Sequence, residues 1–543
     1  MSRSIVFFPA VVFLAYFGLS VYLLNSGHLH EDAYILYIFS ESLARGNGIS
    51  YFQGGMPAEG ATDFLWMAVL GALNFAGMDT AIAAAILNGM GLSIITVIAM
   101  LIAHEKIKER LLVFFGIIIT LIVISSQIAN ASLAGFSAGF YCSFVAMIFY
   151  ILYTRKVSLL ILLPILSIII GLIRPDGVII GVVSSLIGMY FAYQSGLTKK
   201  YLACSVACVA VGLLYFLWRY SYFGLPLPLP LYVKGASSSL LPGLKPNIDW
   251  ASKNKYLGVV ALLALIPSSG RWKIVLASTP IVMLFISLIF ATQSQNVAFR
   301  FQGPGTTLLI LWLSICLPEI MKYRKLSKIY YRASLLTGLI LSYAIVSYAS
   351  KTAAMTDYLK NTDYINYFPY HFAKSFDEAT VIALTEAGRF AYWVKGKKYD
   401  LVGLNTPEVA VKKSSPDYIK RINPDIIFVH LAGVVDDSNL CVSSYCEVTF
   451  SKILDLTKNI ADWRLETDRV ARAPLTVLDF YRLNATEYRV FAVRYGKNYS
   501  HMYFIKNNGR INVSDFKESL DLSLSKSGRL SYLEMKRQGA AKD

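Results

Sequence analysis

The sequence has little charge for its length. Only 16% of its 543 residues are Asp, Glu, Lys or Arg, whereas a soluble domain carries about 25%. More than half of these charges lie after position 350, so the shortage is concentrated in the earlier part of the chain. This distribution excludes a soluble enzyme, a disordered protein and a purely integral membrane protein. It predicts a long membrane-embedded part followed by a sizeable water-soluble part.

Cysteine and histidine are also scarce, with six of each. The cysteines show no zinc-ligand spacing, and the sequence has neither a P-loop nor a dinucleotide-binding fingerprint. The scattered histidines predict no ligand set, so we expect no metal site and no required cofactor. A divalent metal that bridges a carboxylate and a phosphate is kept as the alternative. Cys441 and Cys446 lie close together, and the sequence leaves open whether they form a disulfide.

The net charge of +17 raises the question of nucleic-acid binding. The basic residues of the first 350 positions sit in short clusters between apolar runs, as the loop charges of membrane proteins do. We therefore expect membrane lipids, and no nucleic acid, as partners.

Apolar runs that approach the roughly 20 residues needed to cross a bilayer recur through the first 350 positions. They predict a polytopic α-helical membrane protein with about eleven transmembrane helices. The predicted spans lie near residues 5–24, 82–103, 111–129, 139–153, 157–173, 178–195, 201–218, 256–269, 274–291, 305–320 and 333–349.

Lys and Arg are unevenly divided between the loops. One alternate set of loops is rich in them, whereas residues 26–80 hold a single basic residue, Arg45. Because basic loops face the cytoplasm, residues 26–80 and the part after 350 are predicted to be extracytoplasmic. The sequence thus predicts a transmembrane module over residues 1–350, with an outer loop at 26–80, and a periplasmic domain over 351–543. In a bacterium this is a multi-pass inner-membrane protein.

The polar part alternates between apolar runs with strand character and mixed stretches. Residues 379–388, 399–405 and 424–430 are spaced as in β-α-β units, which predicts a C-terminal soluble α/β domain. Residues 487–496 and 500–508 are predicted to form an antiparallel pair. Residues 514–543 are charged and are expected to be frayed.

The outer loop carries the first candidate for chemistry. Residues 32–44 and 62–75 are predicted to be amphipathic or interfacial helices, and the pair Glu31-Asp32 precedes the first of them. An acidic pair is favoured at any helix N-terminus by the helix dipole. The alternative is that one carboxylate accepts a proton from a substrate hydroxyl.

Four cations recur beside Pro or Gly at the outer ends of apolar spans. Each is explained singly as an interfacial anchor that snorkels. Together, on one side of the membrane, they predict a site for an anion such as a lipid phosphate, which they stabilise as a leaving group. These residues are Arg174, Arg219, Lys234 and Arg300.

Residues 31–66, EDAYILYIFSESLARGNGISYFQGGMPAEGATDFLW, resemble the first outer loop of bacterial GT-C glycosyltransferases. The sequence is similar to the mycobacterial arabinofuranosyltransferases that use decaprenyl-phosphate arabinose. Later motifs of that family resemble three further segments, LIRPDG, YFGLPLPLPLYVK and AFRFQGPG. Its outer soluble domain resembles the segment EAGRFAYWVKGKKYDLVGLNTPEVA. The resemblance covers residues 5–435. It departs at GFSA, where Ser137 stands at a position that is acidic in many members.

The resemblance implies roles for individual residues. Asp32 becomes the catalytic base with Glu31 as its acidic neighbour, and Glu59 and Asp176 become substrate-binding residues. Trp66 is interpreted as an interfacial aromatic or, alternatively, as a platform for the sugar, and it is retained as a substrate-binding candidate. Asp63 and Asp79 are expected to be helix caps, and Glu386 is expected to be a structural residue of a strand-to-helix turn.

The function that follows is inverting transfer of a monosaccharide, with arabinofuranose implied by the resemblance, from a polyprenyl-phosphate donor. The acceptor is expected to be an extracytoplasmic glycan, glycolipid or pilin-like protein. One alternative is a lipid-linked-sugar flippase or transporter, which predicts charges near mid-membrane, whereas the charges here lie at outer ends. Another alternative is an oligosaccharide ligase with a lipid diphosphate donor.

Overall fold

A computed structural model provides the fold of the chain. It describes residues 3–234, 240–265, 271–322, 328–431, 440–441, 443–457, 469–495 and 499–540.

Helices occupy most of the apolar part. Each predicted span coincides at least in part with a helix. Up to residue 359 the helices are α1 (Arg3–Ser26), α2 (Glu31–Ala44), α3 (Phe64–Phe75), α4 (Thr80–His104), α5 (Glu109–Ile124), α6 (Gln127–Leu133), α7 (Ala138–Thr154), α8 (Val157–Leu160), α9 (Leu162–Ile173), α10 (Gly177–Gln194), α11 (Thr198–Phe223), α12 (Leu229–Lys234), α13 (Leu244–Leu265), α14 (Arg271–Ile289), α15 (Gly303–Lys322) and α16 (Lys328–Leu359).

Six helical segments of the described chain are long and apolar enough to cross a membrane. They coincide with α1, α4, α10, α11, most of α14, and a segment from Val297 to Pro318. The pair α5 and α6, bent by 46°, brings the number to seven if it forms one span. Several other apolar helices are shorter than 18 residues, so the count of eleven stays a prediction. The chain has the character of a multi-pass membrane protein.

The outer loop contains the two predicted helices, α2 and α3. The helix α2 begins after His30, whose Nδ1 accepts a hydrogen bond from the Asp32 amide at 3.2 Å. A turn rich in glycine follows, in which Gly46 and Gly48 have φ values of +76° and +71° that favour glycine. The start of α4 is capped as predicted, because Asp79 accepts hydrogen bonds from the amides of Ala81 and Ile82.

The polar part is built around a six-stranded mixed sheet in the order β2-β1-β3-β6-β5-β4. The central strand β1 pairs in parallel with β2 and β3, and the remaining pairs are antiparallel. This confirms the predicted β-α-β character and the antiparallel pair. The strands are β1 (Val381–Leu384), β2 (Lys397–Asp400), β3 (Ile426–His430), β4 (Tyr445–Glu447), β5 (Tyr488–Tyr495) and β6 (Tyr499–Lys506).

Short helices surround this sheet. They are α17 (Phe368–Phe372), α18 (Arg389–Trp393), α19 (Pro407–Lys412), α20 (Pro416–Ile422), α21 (Phe450–Thr457), α22 (Arg469–Leu483), α23 (Val513–Leu524) and α24 (Tyr532–Ala540).

Two local predictions for this part are wrong. The strand predicted at residues 399–405 ends at Asp400, because the buried Asp400 carboxylate accepts hydrogen bonds from the amides of Val402, Gly403 and Asn405 and so closes a turn. The end of the chain forms α23 and α24 rather than a frayed tail. Their apolar residues, Phe516, Leu520, Tyr532 and Met535, are almost completely buried.

One hydrophobic core joins the outer loop to the sheet. Phe39 and Trp66 of the loop belong to the same buried cluster as Phe390 and Phe428 beside and within the sheet. The helix α16 runs across position 350, so the predicted boundary between the two parts falls inside a helix. Cys441 and Cys446 form a disulfide, which answers the question that the sequence left open.

Candidate active site

Asp32 lies in the first turn of α2, where the helix dipole favours a negative charge. Its Oδ2 is 3.4 Å from Nη2 of Arg300, and the carboxylate side chain keeps 18% of its surface exposed. With its amide nitrogen facing Asp32, Gln295 donates to Oδ1 at 2.8 Å and to Oδ2 at 3.0 Å. The carboxylate is therefore oriented by two partners and is still accessible.

Arg300 is held in an irregular segment between α14 and α15. Ala298 and Phe299, just before it, have φ values of +50° and +55°, which non-glycine residues rarely adopt. The guanidinium lies over the Phe136 ring at 4.0 Å from its centroid. Such strained backbone is retained where the surrounding structure requires it, and functional sites are a common reason. Here it directs Arg300 towards Asp32.

Arg174 and Asp176 form one unit behind Arg300. Arg174 donates to Asp176 through Nε at 3.0 Å and Nη2 at 2.8 Å, a two-point pairing that fixes the guanidinium plane. Its Nη1 donates to the Arg300 carbonyl oxygen at 3.2 Å. Asp176 thus orients Arg174, and Arg174 supports the irregular backbone that carries Arg300.

Lys234 is the third cation of this group. It ends α12 and interacts electrostatically with both Asp32 and Arg300. Burial lowers the pKa of Lys234, the Asp32 carboxylate opposes this shift, and Arg300 adds to it. The structure thus brings together Asp32, Arg174, Asp176, Lys234 and Arg300, which we name the outer cluster.

Arg219 and Glu59 pair with each other and not with a member of the outer cluster. Arg219 donates from Nε to Glu59 Oε1 at 2.9 Å and from Nη1 to the Pro226 carbonyl at 2.8 Å. Both side chains are about 6% exposed. Burial raises the pKa of Glu59, and the ion pair opposes that shift. In this structure each of the two charges is satisfied by the other, and the phosphate-binding role of Arg219 and the substrate-binding role of Glu59 stay predictions.

Trp66 is also buried more deeply than a sugar platform or an interfacial aromatic requires. None of its surface is exposed, and its ring lies 5.6 Å from that of Phe140. In this structure Trp66 is a core residue, and its role in substrate binding stays a prediction.

Glu31 points away from Asp32 and towards the sheet. Its Oε1 accepts hydrogen bonds from the amides of Gly388 and Arg389 at 2.7 and 2.8 Å, and its Oε2 is 4.0 Å from the Arg389 guanidinium. Burial and the neighbouring Glu386 carboxylate raise the pKa of Glu31. The carboxylate that was predicted to act beside Asp32 therefore anchors the start of α2 on the turn after β1.

Sequence reasoning missed several polar groups. Gln295 gave no signal, because its contact with Asp32 depends on a left-handed backbone. Asp63 was predicted to cap α3, but its side chain makes no capping bond. It instead accepts a hydrogen bond from Ser137 at 2.5 Å and interacts electrostatically with Arg174 and Arg300. The position of Ser137 in a family motif was the available signal.

The histidines were predicted to be scattered and to give no ligand set, but two of them meet in the structure. His430 and His501 lie side by side, with Nδ1 of the first 2.8 Å from Nε2 of the second. Glu386 approaches both, its Oε2 lying 3.9 Å from His430 and 3.7 Å from His501. The three were not linked in the sequence because they come from three different strands or strand ends.

The fold is similar to solved structures of membrane glycosyltransferases. The apo crystal structure of ArnT from Cupriavidus metallidurans matches with a TM-score of 0.53 and 10% identity, over 92% of this chain and 97% of that chain. ArnT bound to undecaprenyl phosphate matches over the same shares with a TM-score of 0.52 and 10% identity. The apo Archaeoglobus fulgidus oligosaccharyltransferase has a TM-score of 0.47 and 12% identity, over 79% of this chain and 70% of that chain.

ArnT is a GT-C glycosyltransferase. Because the likeness extends over nearly all of both chains, this chain has the GT-C fold, as the sequence predicted. Residues 356–502 match a family described as "Domain of unknown function (DUF8728)". No curated protein matches the chain.

Proposed function

We propose that the chain is an inverting glycosyltransferase that takes a monosaccharide from a polyprenyl-phosphate donor. The observation that carries the proposal is the contact of Asp32 with Arg300 at 3.4 Å, with Lys234 and Arg174 beside them. A proton acceptor and a set of phosphate-binding cations are the two parts that a single displacement requires. The similarity to ArnT, which has been solved with undecaprenyl phosphate, supports a lipid phosphate as the donor group.

The chemistry follows from these positions. The acceptor hydroxyl attacks the anomeric carbon from the face opposite the phosphate, while Asp32 takes its proton. The new bond joins the acceptor oxygen to the anomeric carbon, and the bond from that carbon to the phosphate oxygen breaks. The polyprenyl phosphate leaves with the bonding electrons, stabilised by Arg300 and Lys234. Because these cations neutralise the leaving group, we propose that this step requires no metal.

The sugar and the acceptor belong to the finer part of the proposal. The resemblance of residues 31–66 to arabinofuranosyltransferases supports arabinofuranose as the sugar. The acceptor is an extracytoplasmic glycan, glycolipid or pilin-like protein. The sheet that packs on the outer loop through Glu31 is positioned to help bind this acceptor, since it lies next to the start of α2.

We place the outer cluster and the sheet on the periplasmic side of a bacterial inner membrane. The division of basic residues between the loops supports this orientation. The disulfide between Cys441 and Cys446 supports it independently, because such bonds persist in the periplasm and not in the cytosol.

Asp32→Asn tests the proposal, because it preserves the shape of the side chain and removes the base. We expect transfer to fall by at least about 100-fold at an unchanged protein level. The measurement is mass spectrometry of surface glycans and glycoproteins from cells that lack the gene and carry each variant. Asp417→Asn, at an exposed position in α20, is the matched control and retains transfer. Wild-type glycans in the Asp32→Asn cells would refute the proposed base.

A further inference from the structure

Three side chains outside the outer cluster converge at the sheet. Glu386 follows the end of β1, His430 ends β3, and His501 lies on β6. His430 and His501 are directly opposite each other in the antiparallel pairing of β3 and β6, so their imidazoles share one face of the sheet. The His430 amide donates to Thr385 Oγ1 at 2.9 Å, which ties this end of β3 to the residue before Glu386.

From this arrangement we infer that Glu386, His430 and His501 bind a divalent transition-metal ion such as Zn²⁺. Two imidazoles and a carboxylate, with a fourth position left for water or another ligand, are a common zinc donor set. The ligand atoms all lie within 4.8 Å of one another. Bonds of about 2.0–2.2 Å in tetrahedral geometry require separations of roughly 3.4 Å. The observed 2.8, 3.7 and 3.9 Å bracket this value.

The carboxylate oxygen that faces the imidazoles supports a ligand at this point. Glu386 Oε2 is buried, and within the described part of the chain no donor hydrogen-bonds to it. An unsatisfied buried carboxylate oxygen is costly, and most such atoms have a partner, a bound water or an ion. The metal satisfies Oε2 and replaces the hydrogen bond between the two imidazoles.

The surroundings of His501 fit a metal ligand as well. Its Nδ1 lies 2.6 Å from the Tyr364 hydroxyl, which in turn lies 3.0 Å from the Tyr503 hydroxyl. When Nδ1 carries the proton and donates it to Tyr364, Nε2 is left with its lone pair directed at His430 and Glu386. A second partner that fixes the tautomer in this way is usual for metal-binding histidines.

The site shares no residue with the outer cluster, although the Glu386 carboxylate interacts electrostatically with Asp32, and it lies next to the turn that anchors α2. Gly388 and Arg389, which hold Glu31, follow Glu386 by two and three residues. A bound cation would therefore stabilise the attachment of α2 to the sheet. Metal binding is measured directly, so its outcome does not depend on the proposed transferase activity.

The experiment uses the full chain, purified without a histidine tag, stripped with chelator and titrated with Co²⁺ and Zn²⁺. We expect about one tightly bound ion per chain, a tetrahedral Co²⁺ spectrum, and a Zn²⁺ absorption fine structure with two imidazoles and oxygen. Zn²⁺ should also raise the thermal-unfolding midpoint. Glu386→Gln and His430→Gln should weaken binding by at least about 10-fold.

His104→Gln is the control, because His104 is an exposed histidine at the end of α4 and should leave binding unchanged. Equal binding by wild type and Glu386→Gln would overturn the inference, as would an octahedral Co²⁺ spectrum typical of weak surface sites. The wild-type spectra decide the question even if a variant fails to fold. Absence of a bound ion in the wild type would leave the three residues as a hydrogen-bonded relay and refute the metal site.

Discussion

Arg300 and Arg219 each pair with a carboxylate, but the two ion pairs differ in how much of their surface is exposed. Arg300 pairs with Asp32, and both keep between 15% and 18% of their side-chain surface exposed. Arg219 pairs with Glu59, and only about 6% of each side chain is exposed. A ligand phosphate can reach the first pair, whereas the second is closed to solvent. The same residue type at the end of an apolar span is therefore accessible to a ligand in one case and closed off by its partner in the other.

Arg300→Ala should weaken binding of undecaprenyl phosphate by roughly 10–100-fold, the effect of losing one charge-assisted hydrogen bond. Arg219→Ala should instead destabilise the fold by about 3–5 kcal/mol, because it leaves the Glu59 carboxylate buried and unpaired. Lipid binding and the thermal-unfolding midpoint, measured on both variants, separate the two effects. Equal losses of lipid binding in two well-folded variants would contradict this distinction.

Lys398 is a buried lysine whose positive charge destabilises the folded protein. It lies in β2 with 9% of its surface exposed, and burial lowers its pKa from 10.5 to about 8, with Glu378 opposing the shift. The pKa of Lys398 is lower in the folded state than in the unfolded state, so the unfolded state binds the proton first. The protein therefore loses stability as the pH falls from 10.5 to about 8. The penalty is therefore complete below about pH 8 and disappears towards pH 10.5.

Lys398→Met should stabilise the protein by about 3 kcal/mol at pH 7, and the gain should shrink between pH 8 and pH 10. Thermal-unfolding midpoints across this pH range measure it. Lys397→Met, at the exposed neighbouring position, is the control and should change little at any pH. A gain that is constant with pH would show that packing, and not the ammonium charge, is responsible.

Their predicted place at span ends on one side of the membrane singled out three cations of the outer cluster, namely Arg174, Lys234 and Arg300. The same argument gave the acidic pair Glu31-Asp32, and the family resemblance then selected Asp32 as the base and added Asp176. The sequence could not predict the structural role of Glu31, because its partners Gly388 and Arg389 lie more than 350 positions away. The sequence also could not distinguish Arg219 from Arg300, because the two arginines differ only in the carboxylate that each contacts in the folded protein.

At the scale of elements, α2 connects the outer cluster to the sheet. Asp32 on its first turn faces Arg300, while Glu31 beside it faces the turn after β1. Side chains of consecutive helical residues point about 100° apart around the helix axis. The first turn of α2 can therefore contact Arg300 through one residue and the sheet through the next. The position of the proposed base therefore depends on how α2 is attached to the sheet.

Gly388→Ala should disturb this attachment. A Cβ at position 388 would lie 2.6 Å from Glu31 Oε1 and would also overlap the Glu31 backbone oxygen. We expect a loss of about 1–3 kcal/mol in stability from this overpacking and a lower transfer rate. Gly18→Ala in α1, where no atom lies within 4 Å of the new Cβ, is the control.

A double-mutant cycle shows whether the effect acts through Glu31. Since Gly388→Ala and Glu31→Gln weaken the same contact, their effects on the unfolding midpoint should be less than additive. Fully additive effects would mean that Gly388 matters for another reason.

Element prediction succeeded where the apolar pattern was decisive and failed where side chains reach back to the backbone. The helices α2 and α3 and the strands β5 and β6 were predicted from periodicity. The strand β2 ends early because Asp400 captures three backbone amides, a local competition that hydropathy does not register. The helix α24 was missed because Tyr532 and Met535 are buried by a distant part of the chain.

On the scale of the whole molecule, the proposed function requires the outer cluster, the sheet and the donor phosphate to share one side of the membrane. The GT-C fold is compatible with this arrangement, but the orientation itself rests on the basic loops and on the disulfide. Both arguments can be tested together by asking which exposed positions a reagent reaches from outside the cell.

Ser527→Cys and Ser158→Cys form a matched pair for this test. Both serines are exposed, the first between α23 and α24 and the second in α8, next to the basic residues Arg155 and Lys156. The background variant lacks the four free cysteines Cys142, Cys204, Cys208 and Cys316. A membrane-impermeant maleimide, added after permeabilisation of the outer membrane, should label Ser527→Cys and should label Ser158→Cys only after the inner membrane is opened. The reverse labelling pattern would place the sheet in the cytoplasm. Nucleotide-activated sugars are available there, so a lipid-phosphate donor would not be needed.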